Sequence, residues 1–117
     1  MECVFCRVAQ GTKPEAVLFR DDDVVAFNDI HPKAPVHILV IPKLHIPSIA
    51  HLEEDHSGVI AKLIYTAKRI AAARGLKGYK LAFNVGREGG QVIDHLHLHL
   101  VGGWQHAEDW KKGLVGL

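Results

Sequence analysis

The chain has 117 residues, of which 48% are hydrophobic, and this length and composition fit one compact domain with a substantial core. Its 14 lysines and arginines nearly balance its 13 aspartates and glutamates, which argues against a protein whose main task is to coat nucleic acid. The sequence contains no apolar run of membrane-spanning length and no signal-peptide pattern, and two cysteines are too few for a disulfide framework. We therefore expect a cytoplasmic protein without nucleic-acid or membrane partners.

The elements predicted before residue 50 are a short helix and three strands. The helix covers residues 3–10 and ends at Gly11, and Pro14 marks the turn that follows. The strands are separated by turn residues, and the third is rich in β-branched side chains and should be buried. They cover residues 16–20, 24–28 and 36–42.

The longest predicted helix covers residues 53–74. Acidic residues at its start and basic residues near its end suit the helix dipole, and Gly75 can cap it. Its apolar residues recur at helical spacing and form two columns. They are Val59, Leu63, Thr66, Ala67 and Ile70 in one column, with Ile60, Ile64 and Ala71 beside them.

Two further strands are predicted in the second half of the chain, over residues 79–85 and 94–101, with a glycine-rich loop at residues 86–90 between them. The tail, residues 104–117, holds both tryptophans, and no element is assigned to it. The elements are mainly strands around one long helix, without regular βαβ alternation. We therefore predict an α+β fold with an antiparallel sheet of about five strands.

The last predicted strand carries a histidine at every second position. Residues at i, i+2 and i+4 of a strand share one face, so His95, His97 and His99 should project together, about 6.5–7 Å apart. Imidazole has a pKa near 6.5, so such a row can attack phosphorus, bind charged oxygens and exchange protons. A single histidine is more often a satisfied core or surface residue, whereas a row beside a glycine-rich loop favours phosphoryl chemistry. Three leucines alternate with the row and should pack on the long helix: Leu96, Leu98 and Leu100.

The segment 95–101 resembles the signature of the histidine triad (HIT) superfamily, His-φ-His-φ-His-φ-φ with φ apolar, at every position. Comparable segments occur along nearly the whole chain, at residues 27–30, 34–43, 84 and 89–91. The ending at residues 100–103 looks most like the Hint branch, the purine nucleoside phosphoramidases. The resemblance implies a HIT-like fold, a single HIT domain over residues 1–117, and an enzyme that cleaves nucleoside 5′-phosphoramidates of the AMP or GMP type.

The resemblance also implies catalytic roles. His97, the middle histidine, maps to the nucleophile that attacks the α-phosphorus and forms a nucleotidyl-histidine intermediate, which water then hydrolyses. His99 and His37 map to residues that contact the phosphate. Glycine allows backbone N–H groups to approach an anion closely, although a Gly-Gly pair could also be a plain hairpin turn. The predicted cradle for phosphoryl oxygens consists of Asn84 and the backbone around Gly90 and Gln91.

The nucleoside would occupy a slot beside the triad. Asp29 maps to the carboxylate that accepts hydrogen bonds from the ribose hydroxyls. Two positions depart from the Hint pattern and leave the preferred leaving group open. Val92 stands where a serine often assists a departing amine, and Asp94 stands where an aromatic residue is expected. Four residues map to the apolar slot for the base, although each taken alone is more often a core residue than a site residue: Phe5, Val8, Phe27 and Ile30.

The two cysteines form a C-x-x-C motif that is weak evidence alone, because a tetrahedral zinc site needs two further ligands. In zinc-containing HIT relatives these are a histidine of the Ile-Pro-Lys-x-His segment and the first triad histidine. The resemblance thus implies a structural zinc site and no catalytic metal. The alternative is a pair of reduced thiols packed under the sheet, and His51 and His56 are other candidate ligands. The expected zinc ligands are Cys3, Cys6, His45 and His95.

Four functions remain open from the sequence. The leading one is a phosphoramidate hydrolase acting on a purine nucleotide. The others are a dinucleoside polyphosphate hydrolase, a nucleotide-binding regulatory protein with weak hydrolase activity, and a zinc module in which the triad only holds metal. The resemblance also implies a homodimer, and the second apolar column of the long helix is compatible with one.

Overall fold

The computed structural model describes residues 3–11 and 17–114. Within these ranges two α-helices and five strands form the predicted α+β fold, with α1 at Val4–Gln10 and α2 at Ser57–Ala73. The turn expected at Pro14 and the strand residue Ala16 lie outside the described residues. The strands are β1 Val17–Arg20, β2 Val24–Asn28, β3 Val36–Pro42, β4 Tyr79–Ala82 and β5 Leu98–Gly102. Short 3₁₀ helices occur at Ile49–His51, Glu54–His56, Arg87–Gly89 and Ala107–Leu114.

The strands form one sheet that is antiparallel, as predicted, and their order is β1-β2-β3-β5-β4. In the β3–β5 ladder His37 lies opposite Val101 and Leu39 lies opposite His99. Directly opposed residues point to the same face of a sheet, and so do residues two apart on one strand. His37 and His99 therefore share a face, near the middle of the sheet.

Each face of the sheet is covered by one helix. The triad leucines, Leu96, Leu98 and Leu100, pack on the α2 face in the same cluster as Leu63 and Ala67, which confirms their predicted role. The opposite face packs on α1. Strand β3 contributes to both clusters, which is why its sequence after His37 is a continuous apolar run, residues 38–42.

Helix α2 is shorter than predicted. It begins at Ser57, because residues 54–56 form a 3₁₀ turn in which Glu53 and His56 cap each other. The backbone N–H of Glu53 donates to Nδ1 of His56 over 3.0 Å, and the Glu53 side chain accepts from the His56 backbone. The acidic residues of the predicted first turn thus belong to this cap rather than to the helix.

The two strands predicted around the glycine-rich loop are also too long. The first ends at Ala82 instead of residue 85, and the second begins at Leu98 instead of residue 94. The backbone N–H of Leu96 donates to Ile46 O, outside the sheet. His99 therefore lies on β5, whereas His95 and His97 precede it, and the prediction of three histidines on one regular strand is wrong.

Gly103, directly after β5, gives a test of the backbone at this sheet end. Its φ is +83°, and an added Cβ would lie 2.9 Å from Cγ2 of Val36. We predict that Gly103→Ala lowers the free energy of unfolding by about 2 kcal/mol, measured by urea titration. The control is Gly58→Ala in α2, where a Cβ meets nothing within 4 Å and stability should stay equal or rise. Equal losses in both variants would contradict this account.

Candidate active site and metal centre

A cavity of about 390 Å³ opens between α1, strands β2 and β3 and the glycine-rich loop. It brings together all but one of the residues that the sequence predicted for catalysis and nucleotide binding. Ile30 lies at its exposed rim, whereas Val8 is almost fully buried. The predicted residues that line it are Phe5, Val8, Phe27, Asp29, Ile30, His37, Asn84, Gly90, His97 and His99.

His97 is buried at the floor of this cavity, with 8% of its surface exposed. Its Nδ1 lies 2.7 Å from the carbonyl oxygen of His95. A carbonyl only accepts, so Nδ1 must carry the proton and donate. The neutral ring then keeps an unprotonated Nε2. Burial lowers the pKa of His97, which favours this neutral form at pH 7.

His99 and His37 form a short chain of hydrogen bonds beside the nucleophile candidate. The backbone N–H of Lys33 donates to Nδ1 of His37 over 2.9 Å, so the proton of neutral His37 lies on Nε2. That Nε2 lies 2.9 Å from Nδ1 of His99 and donates to it. The network therefore assigns the proton of His99 to its Nε2, where it can donate to a bound oxygen.

Burial sets the protonation state of the hydrogen-bonded pair His37 and His99. Desolvation, with repulsion from His97 and His37, lowers the pKa of His99 to about 4. Desolvation likewise lowers the pKa of His37, although Asp29 opposes this shift. Asp29 Oδ2 lies 3.4 Å from His37 Nε2, and Asp29 Oδ1 accepts from the His31 backbone N–H over 2.9 Å. At pH 7 the rings are therefore neutral hydrogen-bond donors rather than cations.

The glycine-rich loop is held by its own side chains. Asn84 donates from Nδ2 to Gly89 O over 2.8 Å. The backbone N–H groups of Gly89 and Gln91 both donate to Gly86 O, and that of Gly90 donates to Arg87 O. These three N–H groups, expected to cradle phosphate, are thus engaged within the loop. This tight turn requires a φ of +88° at residue 90, which glycine adopts without steric strain because it has no Cβ.

Among the residues predicted for catalysis and nucleotide binding, Gln91 is the one that does not line the cavity. Its side chain is buried behind the loop, where Oε1 accepts from Gly86 N–H and Nε2 donates to the carbonyls of Pro47 and Ile93. These bonds tie the loop to the segment before the triad. Gln91 therefore supports the glycine-rich loop from outside the cavity.

The sequence reasoning did not find a second support, the pair Arg87 and Asp94. The guanidinium donates to both carboxylate oxygens, over 2.8 and 3.0 Å, and also to Gln91 O. The hydrogen bond from Arg87 lowers the pKa of Asp94. The aspartate that replaces the expected aromatic residue at position 94 thus forms an ion pair with Arg87 in this chain. Opposite charges seven positions apart across a glycine-rich loop were the available signal.

Other cavity residues were also missed. Val4, Lys33, Leu39 and Ile93 line it, together with the exposed Val92. Of these, Lys33 matters most for the chemistry, because its backbone N–H fixes the proton position on His37. Sequence patterns do not report such backbone contacts.

The four predicted zinc ligands form a compact cluster on the other side of Phe5. Their donor atoms, two Sγ and two Nδ1, all lie within 4.8 Å of one another. Nδ1 of His45 and His95 are 3.2 Å apart, and sulfur–nitrogen distances are 3.2 to 3.5 Å. A tetrahedral zinc has edges of about 3.4 Å between nitrogens and about 3.6 Å between sulfur and nitrogen. The cluster therefore fits this metal.

Two further features suit a metal at these four residues. Nε2 of His95 lies 2.8 Å from Pro42 O, so it donates and leaves Nδ1 unprotonated as a ligand. Burial and the neighbouring Cys3 raise the pKa of Cys6 to about 11, so a nearby cation is needed to hold the thiolate. Neither His51 nor His56 belongs to this cluster among the described residues. Instead His51 contacts Ser48 Oγ, and His56 caps Glu53.

A family model described as "Scavenger mRNA decapping enzyme C-term binding" matches residues 2–114. Protein HitA of Neisseria gonorrhoeae is 41% identical over 101 residues, covering 86% of this chain and 94% of that protein. Purine nucleoside phosphoramidase of Escherichia coli K12 is 38% identical over 104 residues, 87% of each chain. The chain belongs to the histidine triad (HIT) family. These relatives support an enzyme, and the HIT resemblance found in the sequence is confirmed.

Solved HIT structures agree with this assignment. A HIT family hydrolase from Legionella pneumophila Philadelphia 1 superposes with a TM-score of 0.87 at 48% identity, covering 89% of this chain and 95% of that one. A zinc-bound HIT family protein from Mycobacterium smegmatis superposes with a TM-score of 0.79 at 28% identity, covering 98% and 90%. The HIT-like fold predicted from the sequence is therefore confirmed.

The low pKa of His99 predicts how stability depends on pH. Its pKa is about 4 when folded and about 6.5 when unfolded, so the unfolded chain binds the proton more tightly. The stabilisation is complete above pH 6.5 and is lost as pH falls towards 4. Relative to His99→Asn, wild-type protein should lose about 3 kcal/mol of unfolding free energy between pH 7 and 4, measured by urea titration. A difference that is constant across this range would contradict the assignment.

Proposed function

We propose that the chain hydrolyses nucleoside 5′-phosphoramidates through a covalent nucleotidyl-histidine on His97. The observation that carries this proposal is the hydrogen bond from His97 Nδ1 to the His95 carbonyl, which leaves Nε2 unprotonated at the cavity floor. A nitrogen nucleophile needs such a lone pair, held in one orientation before the substrate arrives. The name of the Escherichia coli relative, purine nucleoside phosphoramidase, supports the same substrate class.

The reaction would proceed in two displacements at phosphorus. Nε2 of His97 forms a bond to the α-phosphorus while the phosphorus–nitrogen bond to the leaving group breaks, and the amine departs after taking a proton. Water then attacks the same phosphorus, and the nucleoside monophosphate leaves His97. His99 would donate from its neutral Nε2–H to a phosphoryl oxygen, and His37 would hold His99 in that tautomer. Val92 has no hydroxyl, so we propose that water protonates the amine.

The nucleotide would lie across the cavity with its base towards α1. Phe5 and Phe27 meet edge to face with ring centroids 5.4 Å apart, and with Val8 and Ile30 they offer an apolar slot for a purine base. Asp29 is oriented by the His31 backbone N–H and would accept from the ribose hydroxyls. Asn84 and Gly90 line the wall near the triad. Asn84 donates one Nδ2 hydrogen to Gly89 O and would donate the other to the phosphate, with the Gly90 backbone packed beside it. The substrate is thus an AMP- or GMP-type nucleotide.

The other functions have less support. A dinucleoside polyphosphate hydrolase would use the same triad, and product analysis separates it from a phosphoramidase. A zinc module built on the triad is disfavoured, because His37 and His99 nitrogens are 2.9 Å apart and share a proton. No described helix is long and apolar enough to cross a membrane. We propose that the single HIT domain acts in the cytoplasm without nucleic-acid partners.

The nucleophile is tested by His97→Ala. Because the variant lacks the attacking nitrogen, we expect turnover of an adenosine 5′-phosphoramidate to fall by at least about 10³-fold, while AMP still binds. Rapid quench with phosphorus-labelled substrate should trap an acid-labile phosphoramidate adduct on the wild type. His99→Ala should lose less, and a substitution of the exposed His106, His106→Ala, is the matched control. Absence of the adduct, together with a near-normal rate for His97→Ala, would refute the mechanism.

We also propose that Cys3, Cys6, His45 and His95 hold one structural zinc. When bound, the metal supplies a charge that holds both thiolates and joins α1 to the triad segment; four protein ligands leave no position for water. Elemental analysis of metal-replete protein should find one zinc per chain. The double variant Cys3→Ser/Cys6→Ser should lose it and unfold at lower temperature under reducing conditions. A zinc-free wild type, or a double variant of unchanged stability, would contradict this proposal.

We propose that two chains pair through α2 and the edge strand β4. Ile64 and Tyr65 of α2 are 42% and 61% exposed, and Leu81 of β4 is 38% exposed, so this side offers apolar surface. β4 is a sheet edge with one partner strand among the described residues. Analytical ultracentrifugation should give a dimer at micromolar concentration, and Ile64→Glu with Tyr65→Glu should give monomers. A wild-type monomer at these concentrations would contradict the pairing.

A further inference from the structure

Helix α1 connects the proposed metal centre with the proposed nucleotide cavity. Cys3 is the N-cap of this helix, and its Sγ accepts from the backbone N–H of Cys6 over 3.4 Å. Between the two cysteines lie Val4 and Phe5, which line the cavity together with Val8 one turn further on. The first turn of α1 therefore has its sulfurs in the metal cluster and its apolar side chains in the cavity wall.

Phe5 carries this connection to the nucleophile. Its ring meets the ring of His97 edge to face at 5.2 Å between centroids, and that of His95 at 6.1 Å. Phe5 is buried, with 6% of its surface exposed. Protein interiors are close-packed, so a shift of this ring displaces its neighbours or opens a void.

A second connection runs through His95. Its Nδ1 faces the cysteines, at 3.4 Å from Cys3 Sγ and 3.5 Å from Cys6 Sγ. Its carbonyl accepts the proton of His97 Nδ1. Oxidation of the two sulfurs would free the His95 ring from the metal, and His95 is the residue whose carbonyl orients His97.

We propose that Cys3 and Cys6 are a reversible oxidation site whose disulfide form expels the metal and weakens nucleotide binding. The inference rests on the proposed zinc ligands and on the proposed nucleotide cavity. The oxidant is a peroxide of the hydrogen peroxide class. The two thiolates lose two electrons and form one S–S bond, while the peroxide takes up two electrons and two protons and leaves as two waters.

The oxidation removes two of the four proposed metal ligands. Thiolates on one tetrahedral zinc are about 3.8 Å apart, whereas sulfurs in a disulfide are about 2.05 Å apart. Since Cys3 and Cys6 flank the turn that holds Val4 and Phe5, closing this gap turns both sulfurs away from the metal position and towards each other. The uncharged disulfide also stops anchoring His45 and His95 through the metal.

The thiols are open to a small oxidant. Cys3 is partly exposed and lines a groove of about 770 Å³ outside the nucleotide cavity. The groove is also lined by Arg7, His51 and the Arg87–Asp94 pair, so it is polar. Peroxide can therefore reach Cys3 without passing through the nucleotide cavity.

The test uses zinc-loaded, reduced wild-type protein treated with hydrogen peroxide. We expect the loss of two thiols per chain, a mass decrease of two hydrogens, release of one zinc to a colorimetric chelator, and about a tenfold weaker Kd for AMP by calorimetry. Dithiothreitol with added zinc should restore the affinity. The matched control is Cys6→His, which keeps four metal ligands but has no partner for an intramolecular disulfide. Because it cannot form the intramolecular disulfide, the same peroxide should leave its own starting zinc content and AMP affinity unchanged, whatever effect the substitution has before treatment.

Two further measurements separate the possible failures. Phe5→Leu in zinc-loaded protein should weaken AMP binding without losing metal, and this variant tests the wall directly if Cys6→His does not fold. The ¹⁵N signals of the His97 ring should change on oxidation, whether or not AMP binds. A disulfide with released zinc but unchanged Kd and unchanged ring signals would overturn the inference, as would thiols that resist peroxide. Changed ring signals in a protein that never binds AMP would instead overturn the proposed function.

Discussion

The site depends on one residue, His95, that serves two neighbours at once. Its ring is fixed from both sides, since Nε2 donates to Pro42 O and Nδ1 faces Cys3, Cys6 and His45. Its backbone carbonyl then receives the proton of His97. Because burial lowers the pKa of His95 to about 4, its ring stays neutral and suited to a metal rather than to a proton. His95, which takes no part in the proposed reaction, therefore sets the orientation of His97, the proposed nucleophile.

The same arrangement explains why the segment before β5 departs from the sheet. A regular strand from residue 94 would keep each histidine at a fixed spacing on one face. Instead the chain bends at His95, whose ring reaches the cysteines, while Gln91 and the Arg87–Asp94 pair anchor the loop before it. Only from Leu98 onwards does the ladder with β3 and β4 become regular. The contacts of His95, Gln91 and Asp94 thus outweigh the strand propensity of the alternating sequence before Leu98.

The sequence was sufficient for the parts of the fold that depend on hydrophobic periodicity. The apolar run of β3, the alternation of Leu98 and Leu100, and the core side of α2 all follow from burial, and the structure confirms them. Element ends were less accurate, because the Glu53–His56 cap and the bend at His95 depend on side-chain hydrogen bonds. The metal cluster was proposed through family resemblance, since nothing local links Cys3 to a residue 92 positions away. The proton positions on His37 and His99 needed coordinates, because a backbone N–H of Lys33 decides them.

The measurement that tests this account most directly is long-range ¹H–¹⁵N NMR of the histidine rings at pH 7 in zinc-replete protein. We expect a proton on Nδ1 of His97 and on Nε2 of His95, with the His95 Nδ1 resonance shifted by metal. Both patterns should change together when a chelator removes the zinc. A His97 ring protonated on Nε2, or one whose signals ignore the loss of metal, would contradict the claim that His95 sets the nucleophile.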